Sequence, residues 1–210
     1  MAQMTMNEII HAAVRRDLAR MEAALRGFPD GNGERARQLQ RAWDSLWEQL
    51  HHHHESEDAY VWPYVRSLGV LPAELVDTME AEHVAMAAAM TEASAAVKAL
   101  VSDPRSEVAG RAADLVAEAA RVTDAHLVHE ERDVMPTIVE RAETPEWKSV
   151  EKQLRKGSPA LAGRMFAWME DSADDRTQAS LRATVPPPVL FVLSRLLGRS
   201  YHREVAPVWR

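Results

Sequence analysis

The sequence predicts an all-α protein: an up-down-up-down four-helix bundle with a C-terminal helical extension. Three observations carry that expectation. Alanine, leucine, glutamate and arginine dominate the chain, and runs of β-branched residues are absent. Short breaker segments divide its first two thirds into four long stretches. Within each stretch the apolar residues recur alternately three and four positions apart, the spacing of a helix with one buried line.

The breakers come in order. "GFPDGNG" (27–33) separates the first helix from the second, and "SLGVLP" (67–72) ends the second and offers Pro72 near the start of the third. "SDP" (102–104) supplies a cap and a proline for the fourth, and "ETPEW" (143–147) opens a different region. Short connections make consecutive helices antiparallel neighbours. The expected division is therefore a bundle over 1–142 and an extension over 143–210, where "VPPPV" and "VAPVW" interrupt short amphipathic pieces. Packing on the bundle is the expected role of that extension, in preference to docking a membrane or partner through "PPPVLFVLSRLL".

Composition removes several function classes. At 210 residues the chain suits one well-buried domain with an extension. A net charge of −7 without a basic stripe argues against a nucleic-acid binder. With no cysteine there is no disulfide, thiolate site or iron–sulfur cluster. The N-terminus has no apolar core long enough for a signal peptide, and the greasiest uninterrupted stretch, "VLFVL" (189–193), falls far short of the ~20 residues of a membrane span. A cytoplasmic protein without a membrane partner is the expectation.

The stretch "LHHHHESEDAYVWP" (50–63) puts four histidines in a row inside the second helix. The inward line of that helix reads Leu39, Trp43, Leu46, Leu50, His53, Glu57, Tyr60, Tyr64. His53 thus continues the buried line, and Glu57 follows one turn later. His54 lies beside it, one turn before Asp58, as the reserve candidate; His51 and His52 point to solvent. The first helix gives Met4, Asn7, His11, Val14, Leu18, Met21, Leu25. The third gives Val76, Met79, His83, Met86, Met90, Ala93, Val97, Leu100, and the fourth Ala112, Val116, Ala119, Thr123, His126, Glu130. Each helix places one histidine inward. Counted from the loops, His11, His53, His83 and His126 fall within about a turn of one another, so they can share one layer.

There is an internal echo. His53-x-x-x-Glu57-Asp58 is followed by Pro63, and His126-x-x-x-Glu130-Glu131 by Pro136, at identical intervals. The second and fourth helices therefore present the same His/Glu pair on one face, and each proline should kink or end its helix just beyond. Four imidazoles and two carboxylates in an apolar layer are costly to bury as free groups. A pair of divalent or trivalent cations resolves that cost, with imidazole suiting iron, zinc or copper and carboxylates bridging two hard ions.

His11, His53-x-x-x-Glu57, Glu82–His83 and His126-x-x-x-Glu130 together resemble a hemerythrin-like (HHE cation-binding) domain over roughly residues 5–142. That resemblance implies a non-haem, oxo- or hydroxo-bridged pair of iron ions in a four-helix bundle, with manganese or zinc as other occupants. The metal ligands it implies are His11, His53, Glu57, His83, His126 and Glu130. The partners it implies are small molecules: dioxygen, hydrogen peroxide or nitric oxide. Sensing, detoxification or peroxide decomposition would follow, with chemistry centred on the metal.

Two departures separate this chain from oxygen-carrying hemerythrins. They have His-x-x-x-His on the third helix, where this chain has His83-x-x-x-Ala87; they use His-x-x-x-x-Asp on the fourth, where this chain has His126-x-x-x-Glu130. His129 with Asp133 is a lesser pairing there. With four histidines, two bridging carboxylates and a bridging oxygen, two of the twelve positions on two six-coordinate irons stay open. This favours a reactive or sensing centre over a reversible carrier, and makes Tyr60 and Tyr64 candidates for a further ligand or supporting contact. Two rivals stand beside this reading. A ferritin-like oxidase or iron store would use Glu8-x-x-His11 and Glu80-x-x-His83 with Glu57 and Glu130. A metal-free helical module would bind a partner through its extension.

Overall fold

A computed structural model describes residues 3–210, and all of the regular structure among them is helical. The four long helices are α1 (Met6–Arg26), α2 (Gly33–Ser56), α4 (Ala73–Ser102) and α5 (Ser106–Asp133). A π-turn (Glu57–Val61) and the short α3 (Trp62–Leu68) prolong α2, and α6 (Met135–Val139) prolongs α5. Seven further short elements follow: α7 (Pro145–Leu154), α8 (Pro159–Glu170), α9 (Asp175–Thr184), α10 (Pro187–Phe191), a second π-turn (Val192–Leu197), α11 (Arg199–Glu204) and a 3-10 turn (Ala206–Trp209).

Local chemistry sets the helix starts. At α1, Thr5 and Glu8 form a reciprocal capping box, and at α2 the Asn32 side chain accepts the Arg35 amide. The start of α5 departs from the expected "SDP" cap. Its Ser106 amide donates to Asp30 Oδ1, a residue of the α1–α2 loop, so two loops at one end are tied together. Gly31 N reinforces that tie by donating to Pro104 O.

The inward lines hold with two exceptions, one of which is Asn7 on α1, only half-buried. All eight residues expected on α4 and all six on α5 are buried. On the second helix the line runs true to Glu57 and then slips. Pro63 has no N–H to donate to Ala59, and the Trp62 amide instead reaches back five residues to Glu57 O. The wider turn brings Val61 inward and leaves Tyr60 39% exposed. Tyr60 is therefore not on the buried line; Tyr64 is buried, against the Trp147 ring at 5.3 Å.

Side-chain contacts show how the long helices pair. Asn7 meets Glu130, Arg15 meets Asp124 and Arg26 meets Asp114, so α1 and α5 run past each other in opposite directions. Trp43 Nε1 donates to Ser94, and His83 meets Asp58, so α2 and its extension also run antiparallel to α4. Two apolar clusters result. The larger includes Leu18, Leu50, Met90, Leu127, Trp168 and Tyr201; the smaller includes Val61, Trp62, Met79, Val134 and Trp147. The predicted histidine layer falls between them along α2, α4 and α5, while on α1 the larger cluster continues past His11 to Ile9.

From α8 onward the C-terminal elements share the larger cluster, while α7 joins the smaller one through Trp147. Trp168 of α8 donates its Nε1–H to Asp17 Oδ2 of α1 at 2.9 Å, and Asp17 also accepts from Arg16 and Arg20. Glycine at 163 and 198 permits the crossing of α8 with the chain at 197–198. A Cβ on Gly163 would stand 2.5 Å from the Leu197 carbonyl carbon.

α4 departs from the expectation that no stretch suits a membrane span. By length and composition it is apolar enough to cross a membrane, because alanines dilute its polar residues. One face of α4 nevertheless lies in the core with His83 upon it.

Candidate metal centre

His11, His53, His83 and His126 do meet in one layer. His11 Nε2 lies 3.2 Å from His53 Nε2, and His83 Nε2 lies 3.1 Å from His126 Nε2. Glu57 stands between the two pairs, with Oε1 3.3 Å from His53 Nε2 and Oε2 3.6 Å from His83 Nε2. Glu130 Oε2 lies 3.3 Å from His11 Nε2, while its other oxygen accepts from Asn7 Nδ2 at 2.9 Å.

The outer nitrogens of three rings are each held by a carboxylate. His11 Nδ1–H donates to Glu131 at 2.8 Å, His83 Nδ1–H to Asp58 at 2.7 Å and His126 Nδ1–H to Glu82 at 2.9 Å. In the neutral rings those bonds place the proton on Nδ1 and leave Nε2 as a lone pair aimed inward. At His11 in the metal-free centre, burial is outweighed by the Glu130 and Glu131 carboxylates, which raise its pKa and favour a second proton there. Two lone pairs about 3 Å apart repel unless a cation lies between them. For two nitrogens each ~2.1 Å from one ion, such a separation subtends roughly 95–100°, a cis pair of an octahedron.

The carboxylates point to the same conclusion. Glu57 Oε2, Glu130 Oε2 and His54 Nε2 are buried without a hydrogen-bond partner, atoms a cation would satisfy. Burial pushes the Glu57 carboxyl well above the usual range, and the neighbouring Glu130 adds to this. Burial also opposes ionisation of Glu130, but the His11 hydrogen bond and charge outweigh it and hold that carboxyl low. Desolvation keeps His53 neutral, its pKa lowered to about 3, with His11 adding repulsion. Burial and the neighbouring Glu130 thus favour the protonated form of Glu57 in the metal-free centre, and a bound cation would favour its carboxylate.

His54, the reserve candidate, turns inward as well. It is only 7% exposed, stacks on His83 with ring centroids 4.3 Å apart, and groups with Glu57, His83 and His126. Its expected partner, Asp58, instead holds His83. His51 is exposed beside Glu55, and His52 meets Ser56 at the margin. His129 is joined to Glu82 at 2.8 Å and Asp133 at 3.2 Å, outside the inner ring.

The ferritin-like set does not assemble. Glu8 accepts from the Thr5 amide in the capping box, and Glu80 pairs with Arg66 at the surface. Sequence reasoning missed the roles of Asp58, Glu131 and Glu82, although the first two complete the echoed Glu57-Asp58 and Glu130-Glu131 dipeptides. In each dipeptide the first acid faces the layer and the second reaches a histidine on another helix.

The family model for the Hemerythrin HHE cation binding domain matches residues 9–138. The chain belongs to that family. No match was found among curated proteins or among solved structures. The HHE match spans all four inward histidines, both glutamates and the three outer carboxylates. As a hemerythrin-family chain this protein has, in its His/Glu cluster, a donor set able to hold metal.

Proposed function

We propose that the protein holds two iron ions and uses them to bind or transform a small oxidant or gas: dioxygen, hydrogen peroxide or nitric oxide. The position of Glu57 carries this reading. One carboxylate presents an oxygen to each of two histidine pairs, as a bridge between two ions requires. His11 and His53 would serve one ion, His83 and His126 the other, with Glu57 and Glu130 spanning both. Iron fits a donor set of imidazole and carboxylate without thiolate, and elemental analysis separates it from manganese and zinc.

Bound iron would supply the redox and Lewis-acid chemistry. The chain's own groups orient and insulate it. Asp58, Glu82 and Glu131 fix three imidazoles, Asn7 fixes one Glu130 oxygen, and the two apolar clusters exclude bulk water from either side. An environment of this kind suits a sensing or detoxifying centre in the cytoplasm.

The helix pairings support an up-down-up-down bundle over 1–142, with 143–210 as an extension packed on it. Trp168 on Asp17 is the clearest such contact.

Metal content per chain tests the reading, measured on the wild type beside His53→Ala and Glu57→Ala. About two irons per wild-type chain, falling in both variants, is the expected result. Iron-supplied wild type without bound metal would overturn it.

A further inference from the structure

We propose that His54 is the third imidazole on the His83/His126 side of the centre, so that the two metal positions carry three and two histidines. This rests on the two-metal reading above and adds an asymmetry to it. Successive residues on a helix point ~100° apart, so a pair of neighbours can straddle an inward line. His53 and His54 do so here. His53 joins His11, and His54 lies over His83 at 4.3 Å and edge-on to His126 at 5.6 Å.

Three observations support ligation over a simple core role. His54 is buried, yet its Nε2 has no hydrogen-bond partner, an expensive state for an imidazole nitrogen. One ligand atom from each of His54, Glu57, His83 and His126 falls within 4.8 Å of the others. Position 87, one turn along α4 from His83, is an alanine, so no side-chain donor from that turn competes with His54 for this side of the centre.

The assignment alters the coordination count. On either ion, two carboxylate bridges and a bridging oxygen occupy three positions. Three histidines then complete six coordination on the His54 side, while two leave one vacancy on the His11/His53 side. The vacancies fall from two to one. External ligand is confined to the ion next to His11, one molecule per pair.

The test uses the iron-loaded, full-length protein, with azide as the probe. Wild type should contain two irons per chain, give two distinct iron signals by Mössbauer spectroscopy and saturate with one azide. His54→Ala should keep the remaining donors, hold iron roughly 10–100-fold more weakly, and take up a second azide. Added imidazole should occupy the vacated position and restore the wild-type spectrum.

Two equivalent irons in wild type, or a His54→Ala protein with unchanged spectrum and azide stoichiometry, would overturn the assignment. The wild-type spectrum decides even where the variant fails to fold. Fewer than two irons in wild type would instead overturn the two-metal reading and this asymmetry with it, a failure visible before any azide is added.

Discussion

Asp58 receives the Nδ1–H of His83 at 2.7 Å, and the residue before it, Glu57, turns an oxygen toward the same ring. Two adjacent acids on one helix thus address opposite ends of an imidazole on another. Glu130 and Glu131 repeat the arrangement at His11, with Oε2 of the first 3.3 Å from Nε2 and Oε1 of the second 2.8 Å from Nδ1.

Neutralising an outer acid should weaken metal binding without emptying the site. Asp58→Asn, Glu82→Gln and Glu131→Gln should each lower iron affinity by about 10–100-fold while saturating at the wild-type stoichiometry. Competition against a graded series of chelators measures this. Unchanged affinity in all three would show that the outer carboxylates only solubilise the rim.

Tyrosine should not ligate the iron. Tyr60→Phe should leave iron content and the visible spectrum unchanged, since the π-turn carries Tyr60 outward. Disappearance of a visible absorption band in that variant would restore it as a ligand.

Iron-free protein should be acid-labile. Burial lowers His53 to about 3 and also lowers His54 and His126, whereas their unfolded values lie near 6.5. Below pH 6.5 the unfolded chain binds protons these folded histidines refuse, so stability is lost as pH falls from 6.5 toward 3. Glu57 acts in the opposite sense, since its raised pKa costs stability as pH rises through 4.5. His11 also acts in that opposite sense, because Glu130 and Glu131 outweigh its burial and raise its pKa, but the three lowered histidines outnumber these two groups. The Tm of the iron-free protein should fall between pH 7 and 5, and iron loading at pH 7 should raise it. A flat profile over that range would contradict the neutral burial of these rings.

The contact between α1 and α8 should be a main determinant of stability. Asp17→Ala leaves Arg16, Arg20 and Trp168 without their shared acceptor and should cost about 3–5 kcal/mol. Trp168→Phe should cost less, about 1–3 kcal/mol, because one acceptor lone pair is stranded. Chemical denaturation of the iron-free variants gives both numbers, and an Asp17→Ala loss under 1 kcal/mol would place the strength of that contact elsewhere.

Much of the centre could be read before any coordinates. The helical class follows from residue preference, and the inward histidines from a spacing of three and four that only one helix face satisfies. That rule placed every expected residue on α4 and α5. It admitted one residue per turn, however, and so could choose between His53 and His54 only by excluding one. It also requires an unbroken helical period through Pro63, which is why it puts Tyr60 on the wrong face.

The sequence by itself determined an all-helical chain and the layer holding His11, His53, Glu57, His83, His126 and Glu130, because local periodicity depends only on residues a few positions apart. Tertiary structure alone decided that His54 also enters the layer, that Asp58, Glu82 and Glu131 brace three of the rings, and that Trp168 seals onto Asp17. Those partners lie on different helices, from 25 to 151 residues apart, and no local pattern encodes which side chains the packing of helices will bring within hydrogen-bonding distance.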